Sequence, residues 1–185
     1  MPIEAELKAR LRNPDHVRAE LARRSTEEVA VYSDTYFDSP DGSFTSADRE
    51  LRVREVRTDA GVRNVLTYKG ATVDIESGSK PEAETQVTDA AAAREILAGL
   101  GYVVEIAFEK QCSNYRFTHA GREMLATVVR LSEIDGTFIE IETLVGENDV
   151  SAALEDVRAV LAELGVERED ETTETYTGAV RAARG

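Results

Sequence analysis

The sequence predicts an α+β fold: an antiparallel sheet or barrel with helices packed outside it. Two observations predict it. About eight segments read as strands, and most follow one another directly in the chain. Three or four further segments carry helical signals at intervals between them. A third feature, the charge type on the strands' polar faces, bears on what the sheet encloses.

The chain has 185 residues, 42 % hydrophobic and 31 % charged. A domain runs about 100–200 residues, so one domain over 1–185 is expected, with a proper core. There are 36 Asp+Glu against 22 Lys+Arg, a net charge of −14. That balance argues against nucleic acid and against an anionic membrane surface as partners. Cys112 is the single cysteine, which excludes an intrachain disulfide and a zinc ribbon. His16 and His119 are too few for a His-rich metal site. The start Met1-Pro2-Ile3-Glu4 carries no basic, then apolar leader, and no run of about 18 apolar residues occurs. A cytoplasmic protein is the expectation.

Residues 2–10 alternate, with Ile3, Ala5 and Leu7 on one face and Glu4, Glu6 and Lys8 on the other, the period of a strand. Asn13-Pro14-Asp15 opens a helix over 15–24 that buries Val17 and Leu21. Residues 29–38 are β-branched and aromatic, hence a strand, and Ser39-Pro40-Asp41-Gly42 is a turn. Leu51 to Arg57 alternates again, Ala60-Gly61 turns the chain, and Val62 to Lys69 returns as a strand. Residues 82–88 make a further short strand. Asp89 caps an alanine-rich helix that ends at Gly99 or Gly101. Residues 102–118 and 122–131 read as strands around His119-Ala120-Gly121, and Asp135-Gly136 leads into the strand 137–143. An amphipathic helix follows over 149–164, and a last one over about 173–183.

Glu4/Glu6/Lys8, Arg52/Arg54, Glu82/Glu84 and Glu140/Glu142 each place ionic groups two residues apart on one strand face, ~7 Å from each other. For any one pair the ordinary explanation is a solvated face. Four such pairs together fit a lumen holding carboxylates and cations, which is costly without a ligand. A polyanion with a hard divalent metal accommodates both signs, because carboxylates suit Mg²⁺ or Mn²⁺ and Arg and Lys suit phosphate.

Glu4-Ala5-Glu6-Leu7-Lys8 resembles the N-terminal E-x-E-x-K signature of the CYTH family, the triphosphate tunnel metalloenzymes. The other pieces follow in the family's order: Asp34-Thr35-Tyr36-Phe37-Asp38, Leu51-Arg52-Val53-Arg54-Glu55, Leu66-Thr67-Tyr68-Lys69-Gly70, Glu82-x-Glu84, Phe138-Ile139-Glu140-Ile141-Glu142 and Thr175-Tyr176. The resemblance covers nearly the whole chain and is nearest to the bacterial class IV adenylyl cyclase branch. It implies an eight-stranded antiparallel barrel forming a tunnel, with helices outside. By motif, Glu4, Glu6, Glu140 and Glu142 would hold the metal, Mg²⁺ or Mn²⁺. Lys8, Arg52, Arg54 and Lys69 would hold a triphosphate, and Glu82 and Glu84 match a further acidic pair. Glu4, Glu6 and Lys8 would carry the catalysis. Tyr36 reads equally as a tunnel residue or a core tyrosine.

Two positions depart from the family pattern. The usual K-x-R-x-x-Y strand reads Lys110-Gln111-Cys112-Ser113-Asn114-Tyr115, with Cys112 where an arginine is expected. Arg116 follows, and an odd shift would turn it to the opposite face. The usual L-D-x-V segment has no Asp counterpart in 128–134; Arg130 is the cation offered there, and Glu133 a displaced carboxylate. Lys110, Arg116 and Arg130 therefore join the candidate substrate-binding set. Cys112 reads as a small buried hydrophobe rather than a nucleophile.

The resemblance implies an enzyme of small triphosphates: ATP, tripolyphosphate or thiamine triphosphate. If a ribose 3′-hydroxyl attacks the α-phosphate, the products are cyclic AMP and pyrophosphate, and this cyclase reading leads. If water attacks the terminal phosphate, the protein is a triphosphatase. A non-catalytic binder of nucleotide or polyphosphate is the third reading. A homodimer is left open.

Overall fold

The computed structural model describes residues 1–185. Eight strands alternate as the sequence predicts: β1 (Ile3–Arg10), β2 (Glu28–Asp38), β3 (Glu50–Thr58), β4 (Gly61–Lys69), β5 (Lys80–Val87), β6 (Val103–His119), β7 (Arg122–Arg130) and β8 (Phe138–Val145). They close into one antiparallel barrel in the order β1-β5-β4-β3-β2-β6-β7-β8. Closure leaves no free edge, so every strand has a partner on both sides.

The apolar weight of this barrel lies outside it. Ile3, Ala5, Leu7 and Ala9 of β1 share a 23-residue cluster with Met124, Ala126 and Val128 of β7 and Ile139 and Ile141 of β8. Two helices cover that face: α1 (Pro14–Ala22), with Val17 and Leu21, and the longer helix after β8. A smaller cluster on the outer face of β3 packs Leu51 and Val53 under Leu97 of the helix Ala90–Gly99. Asp89 caps that helix by accepting from the N–H groups of Ala91 and Ala92.

One element was not legible. A single turn, α2 (Ser43–Ser46), follows the Ser39–Gly42 bend. The Asp38 carboxylate organises it, accepting from the backbone N–H groups of Ser39, Phe44 and Thr45 at 2.7, 2.8 and 3.0 Å. The remaining helices are therefore α3 (Ala90–Gly99), α4 (Val150–Glu163) and α5 (Tyr176–Arg184). Several bounds shift: α1 stops at Ala22 rather than residue 24, β5 starts at Lys80 rather than residue 82, β8 runs on to Val145, and α5 starts at Tyr176 because Thr175 is its cap, accepting from Gly178 N–H.

The antiparallel order sorts the connections between the two ends of the barrel. The β2–β3 connection, the β4–β5 loop and the C-terminal segment, tied to β1 by the Ala9–Glu171 bridge, lie at one end. The tight β3–β4 and β6–β7 turns lie at the other. No helix is long and apolar enough to cross a membrane.

Because the outer face is the core, α4 carries stability. Leu161 is 2 % exposed inside the large cluster. Leu161→Ala is expected to destabilise the fold by about 2–5 kcal/mol, the usual range for a buried leucine. Urea unfolding checks it, and a loss under ~1 kcal/mol would mean the α4 seam collapses to fill the hole.

Candidate functional site

The period of two carries every second residue of each strand inward. In register, Glu6 stands beside Glu142 and Lys8 beside Glu140. Lys69 stands beside Glu82 on one side and Glu50 on the other, and Arg52 beside Thr67. All of these side chains except Thr67 line one cavity of about 410 Å³ inside the barrel, together with Glu84, Arg54 and Lys110. The four ionic pairs of the sequence thus face one enclosed space.

At its centre, carboxylate oxygens of Glu4, Glu6 and Glu142 lie within 4.8 Å of one another. Lys69 is the cation nearest this group: its Nζ donates to Glu4 and lies 3.3 Å from Glu82 and 4.0 Å from Glu6. Glu140 and Glu142 have no cation within 4.0 Å. The electrostatics divide accordingly. Burial would raise the Glu4 carboxyl, but the Lys69 charge and hydrogen bond, with help from Arg52, bring it down to about 2. Burial and the charges of Glu140 and Glu4 push Glu6 up to about 8. Burial, Glu4 and Glu6 hold Glu142 well above the usual carboxylate range. Three converging hard oxygens short of positive charge fit a divalent cation of the Mg²⁺ or Mn²⁺ type.

The cations differ in how free they are. Arg54 grips the buried Asp34 carboxylate with two hydrogen bonds of 2.6 and 2.7 Å, and Lys110 lies 3.7 Å from the same carboxylate. Arg52 donates to Thr67 at 3.2 Å and approaches Glu84 at 3.9 Å, and its Nε is buried without a partner. Lys8 donates to the Glu174 carbonyl of the C-terminal segment. The Tyr176 ring lies 4.7 Å from Lys8 Nζ and 4.8 Å from Lys110 Nζ. Tyr176 is 7 % exposed, and its hydroxyl has no hydrogen-bond partner.

Not every expected residue joins the cavity. Arg130 shares the outward parity of Met124, Ala126 and Val128, so it stands exposed on the outer face and is corrected as a lumen cation. Glu133 lies in the loop after β7 and binds Arg184 at 2.6 and 2.9 Å, so it replaces no lumen carboxylate. Within the lumen β7 offers Leu125, Thr127 and Val129; Glu123, of the same parity, stands exposed at the β6–β7 turn, where it accepts from Thr118. Arg116 is the reverse case. It has the parity of Lys110, so it faces inward, but six residues further along β6, toward the opposite mouth. Cys112 is 3 % exposed within an apolar cluster with Val129 and Val180, and burial pushes its thiol up to about 12. That suits a packing residue rather than a thiolate nucleophile.

Sequence reasoning did not single out Asp34 as the partner of Arg54, nor Glu50 and Lys80, which pair at 2.9 Å at one mouth. The inward parity of β2, β3 and β5 carried that signal.

The CYTH domain profile matches residues 2–176. The chain belongs to the CYTH family. It is 24 % identical over 177 residues to "Putative adenylate cyclase MJ0240" of Methanocaldococcus jannaschii, covering 94 % of this chain and 96 % of that one. Among solved structures it is similar to the PH1819 protein of Pyrococcus horikoshii, at 25 % identity and a TM-score of 0.82, covering 98 % of this chain and 99 % of the other. It also shares its fold with HpAC1 of Hippeastrum, at 19 % identity and a TM-score of 0.68, over 98 % of this chain and 96 % of that one. The structure of HpAC1 is described as revealing a dominant triphosphatase activity.

The raised Glu6 and Glu142 carboxyls give a pH signature. The metal-free folded protein keeps protons that the unfolded chain releases near 4.5. Stability is then full below that value and falls as pH rises from 4.5 toward about 8. Thermal melts of metal-free protein across that window are expected to show a falling Tm, flattened in Glu6→Gln. A wild-type Tm flat across the window would show that the carboxylates do not repel one another as described.

Proposed function

We propose that this CYTH protein is a divalent-metal-dependent triphosphatase, with Glu4, Glu6 and Glu142, assisted by Glu140, as the metal-holding group. The observation that carries this reading is a carboxylate trio short of positive charge, in one cavity with Lys8, Lys69, Arg52 and Lys110. A bound divalent cation supplies neutralisation of phosphate oxygens and Lewis-acid activation of water.

The chain's own residues do the rest. Lys8 meets a carbonyl and a ring face, and Lys110 meets a ring face and, at 3.7 Å, a carboxylate already taken by Arg54, so a phosphate oxygen offers each a closer charged partner than it has now. Arg52 Nε is a buried donor awaiting an acceptor. Lys69 orders the carboxylates and contributes positive charge beside them. Hydrolysis forms one P–O bond from water to the terminal phosphorus and breaks the bridging P–O bond. The electron pair leaves on the shortened phosphate, and the proton lost by the water goes to that leaving oxygen or to solvent. Positioning and charge stabilisation dominate such transfers.

Hydrolysis is preferred to cyclisation because the lumen's aromatic rings are already engaged. Tyr36 stacks on Phe108 at 5.6 Å, Tyr32 lies 4.5 Å from the Arg54 guanidinium, and Tyr176 faces the two lysines. Each of these rings already has a packed or charged neighbour, with which an adenine would have to compete. The triphosphatase activity described for HpAC1 agrees. Adenylyl cyclisation is the second reading, favoured by the name of the M. jannaschii relative.

One assay separates them: tripolyphosphate or ATP with Mg²⁺ or Mn²⁺, read for orthophosphate and for cyclic AMP. Orthophosphate without cyclic AMP is expected; cyclic AMP as the main product would replace this reading with the second. Glu6→Ala is expected to cut metal-dependent turnover about a hundredfold or more, the scale of losing one electrostatic stabiliser. Full activity in that variant would remove Glu6 from the metal group.

Tyr176→Phe keeps the ring and removes the unpartnered hydroxyl. A rise in KM for triphosphate of about three- to tenfold is expected, the worth of one hydrogen bond, with Tm unchanged. An unchanged KM would mean the hydroxyl does not meet substrate.

A further inference from the structure

The edge of β1 that carries Glu4, Glu6 and Lys8 is finished by three different segments. β5 pairs with β1 only at Ile3 and Glu4, opposite Pro81 and Lys80. Further along, the Lys8 carbonyl accepts from the Thr172 N–H of the C-terminal segment at 2.8 Å. Between them a side chain takes over: the Glu6 N–H donates to Ser79 Oγ at 3.3 Å.

Ser79 is the residue before β5, and it is 1 % exposed. Its hydroxyl opens a chain of hydrogen bonds. The Ser79 and Ser77 hydroxyl oxygens lie 2.7 Å apart, and the Ser77 hydroxyl donates to Asp74 Oδ1 at 2.7 Å. The direction follows from the hydrogens available, one per hydroxyl. Ser77 gives its hydrogen to Asp74, so Ser79 donates to Ser77. The lone pairs of Ser79 are then left for the Glu6 N–H. The run goes from Glu6 to Ser79, to Ser77 and onto a carboxylate, and each bond in such a chain polarises the next.

The β4–β5 loop that presents this chain is itself pinned. The Thr72 N–H donates to Asp48 Oδ2 at 2.8 Å, and Glu76 holds Arg158 of α4 at 2.8 Å and Arg168 at 2.9 Å. The N–H groups of Ser77 and Ser79 fold back onto Asp74 Oδ1 and Ser77 Oγ at 2.8 and 3.1 Å. The register with β8 sets Glu6 beside Glu142. On the other side of β1, where β5 has already stopped, the Ser79 hydroxyl is what meets Glu6. Without it the Glu6 N–H loses that partner, at the residue whose carboxylate has to converge with Glu4 and Glu142. Groups behind a metal ligand fix its orientation and with it the affinity of the site.

We infer that Ser79, backed by Ser77 and Asp74, is the positioning residue for the metal-holding carboxylate of Glu6. The inference rests on the metal-dependent reading of this site and adds what holds its geometry. Ser79 acts through the Glu6 backbone and does not line the cavity.

Calorimetric titration of Mn²⁺ into the protein, without substrate, tests it. Ser79→Ala is expected to raise the Mn²⁺ dissociation constant about three- to tenfold, the worth of one hydrogen bond. The Mn²⁺ concentration for half-maximal turnover of tripolyphosphate should rise by the same factor. KM for tripolyphosphate at saturating Mn²⁺ should not move, because Ser79 meets no substrate. Asp74→Ala should weaken Mn²⁺ binding in the same direction, and Asp74→Asn, which keeps an oxygen for Ser77, should restore it. A lower Tm in Ser79→Ala with an unchanged Mn²⁺ constant would mean a structural role only and overturns the inference. Equal weakening in Asp74→Ala and Asp74→Asn overturns the chain. Should Ser79→Ala not fold, the two Asp74 variants decide. If wild type binds Mn²⁺ and Ser79→Ala binds it less tightly, but neither releases orthophosphate, the triphosphatase reading fails and the positioning role stands. Wild-type protein that binds no Mn²⁺ ends both.

Discussion

The constraint on which this molecule turns is the placing of Glu4, Glu6 and Glu142 side by side inside a closed barrel. Like charges at that spacing, away from bulk water, are costly, and one lysine cannot neutralise three carboxylates. Lys69 favours the ionised form of Glu4, while burial and the neighbouring carboxylates push Glu6 and Glu142 above the usual carboxylate range. The rest of the fold is arranged around that deficit. A lumen so charged cannot be the hydrophobic core, so the core moves to the barrel's outer face. There α1 and α4 cover β1, β7 and β8, and α3 covers β3. The alternation of β1 is the plainest case: Ala5 and Leu7 pack under α4 while Glu4, Glu6 and Lys8 face in.

Within the lumen, ion pairs of two kinds coexist. Arg54 and Asp34 form a bidentate pair in a wall otherwise apolar, where Tyr32, Ile106, Phe108 and Val129 gather with Tyr176 and Val180 of α5. Such a pair fixes its own geometry, and removing either member would strand the other's charge. Lys8 and Lys110 are the opposite kind: their nearest partners are a carbonyl, a ring face and a carboxylate at 3.7 Å already taken by Arg54. Structural charge and available charge are separated by which groups already have full partners.

Much of this was legible in the sequence because a strand's period of two is a strong signal. The charged alternation at 4–8, 52–54, 82–84 and 140–142 placed four ionic pairs on one face each, and all four face the cavity. The same rule, misapplied, put the candidate Arg116 on the wrong face. It was compared with its neighbour Tyr115, when parity with Lys110 is what decides its face. Arg130 failed for a different reason. A motif position was filled by the nearest cation, although its parity with Val128 turns it outward. Asp34 and Tyr176 could not be assigned, since their contacts join segments 20 and 168 residues away. The α2 turn depends on one carboxylate, Asp38, collecting three backbone donors, and nothing periodic announces that.

Closure of the barrel ties these charges to the fold itself. In an open sheet, strands bearing repelling carboxylates could slide or part at an edge. Here β1 is held between β8, over eight paired positions, and β5. Separation would break backbone hydrogen bonds with no solvent-facing alternative until the ring opens. Glu6 and Glu142 are adjacent in that register, so neither can leave the other without a change of register that would turn Ala5 and Leu7 into the lumen. The repulsion is then relieved only by side-chain rotation, by a proton or by a cation. Rotation is limited by the surrounding side chains, and a proton is lost as the pH rises. A divalent cation is the one relief that strengthens with deprotonation, which is why an acidic cluster in a rigid ring is poised to hold metal near neutral pH.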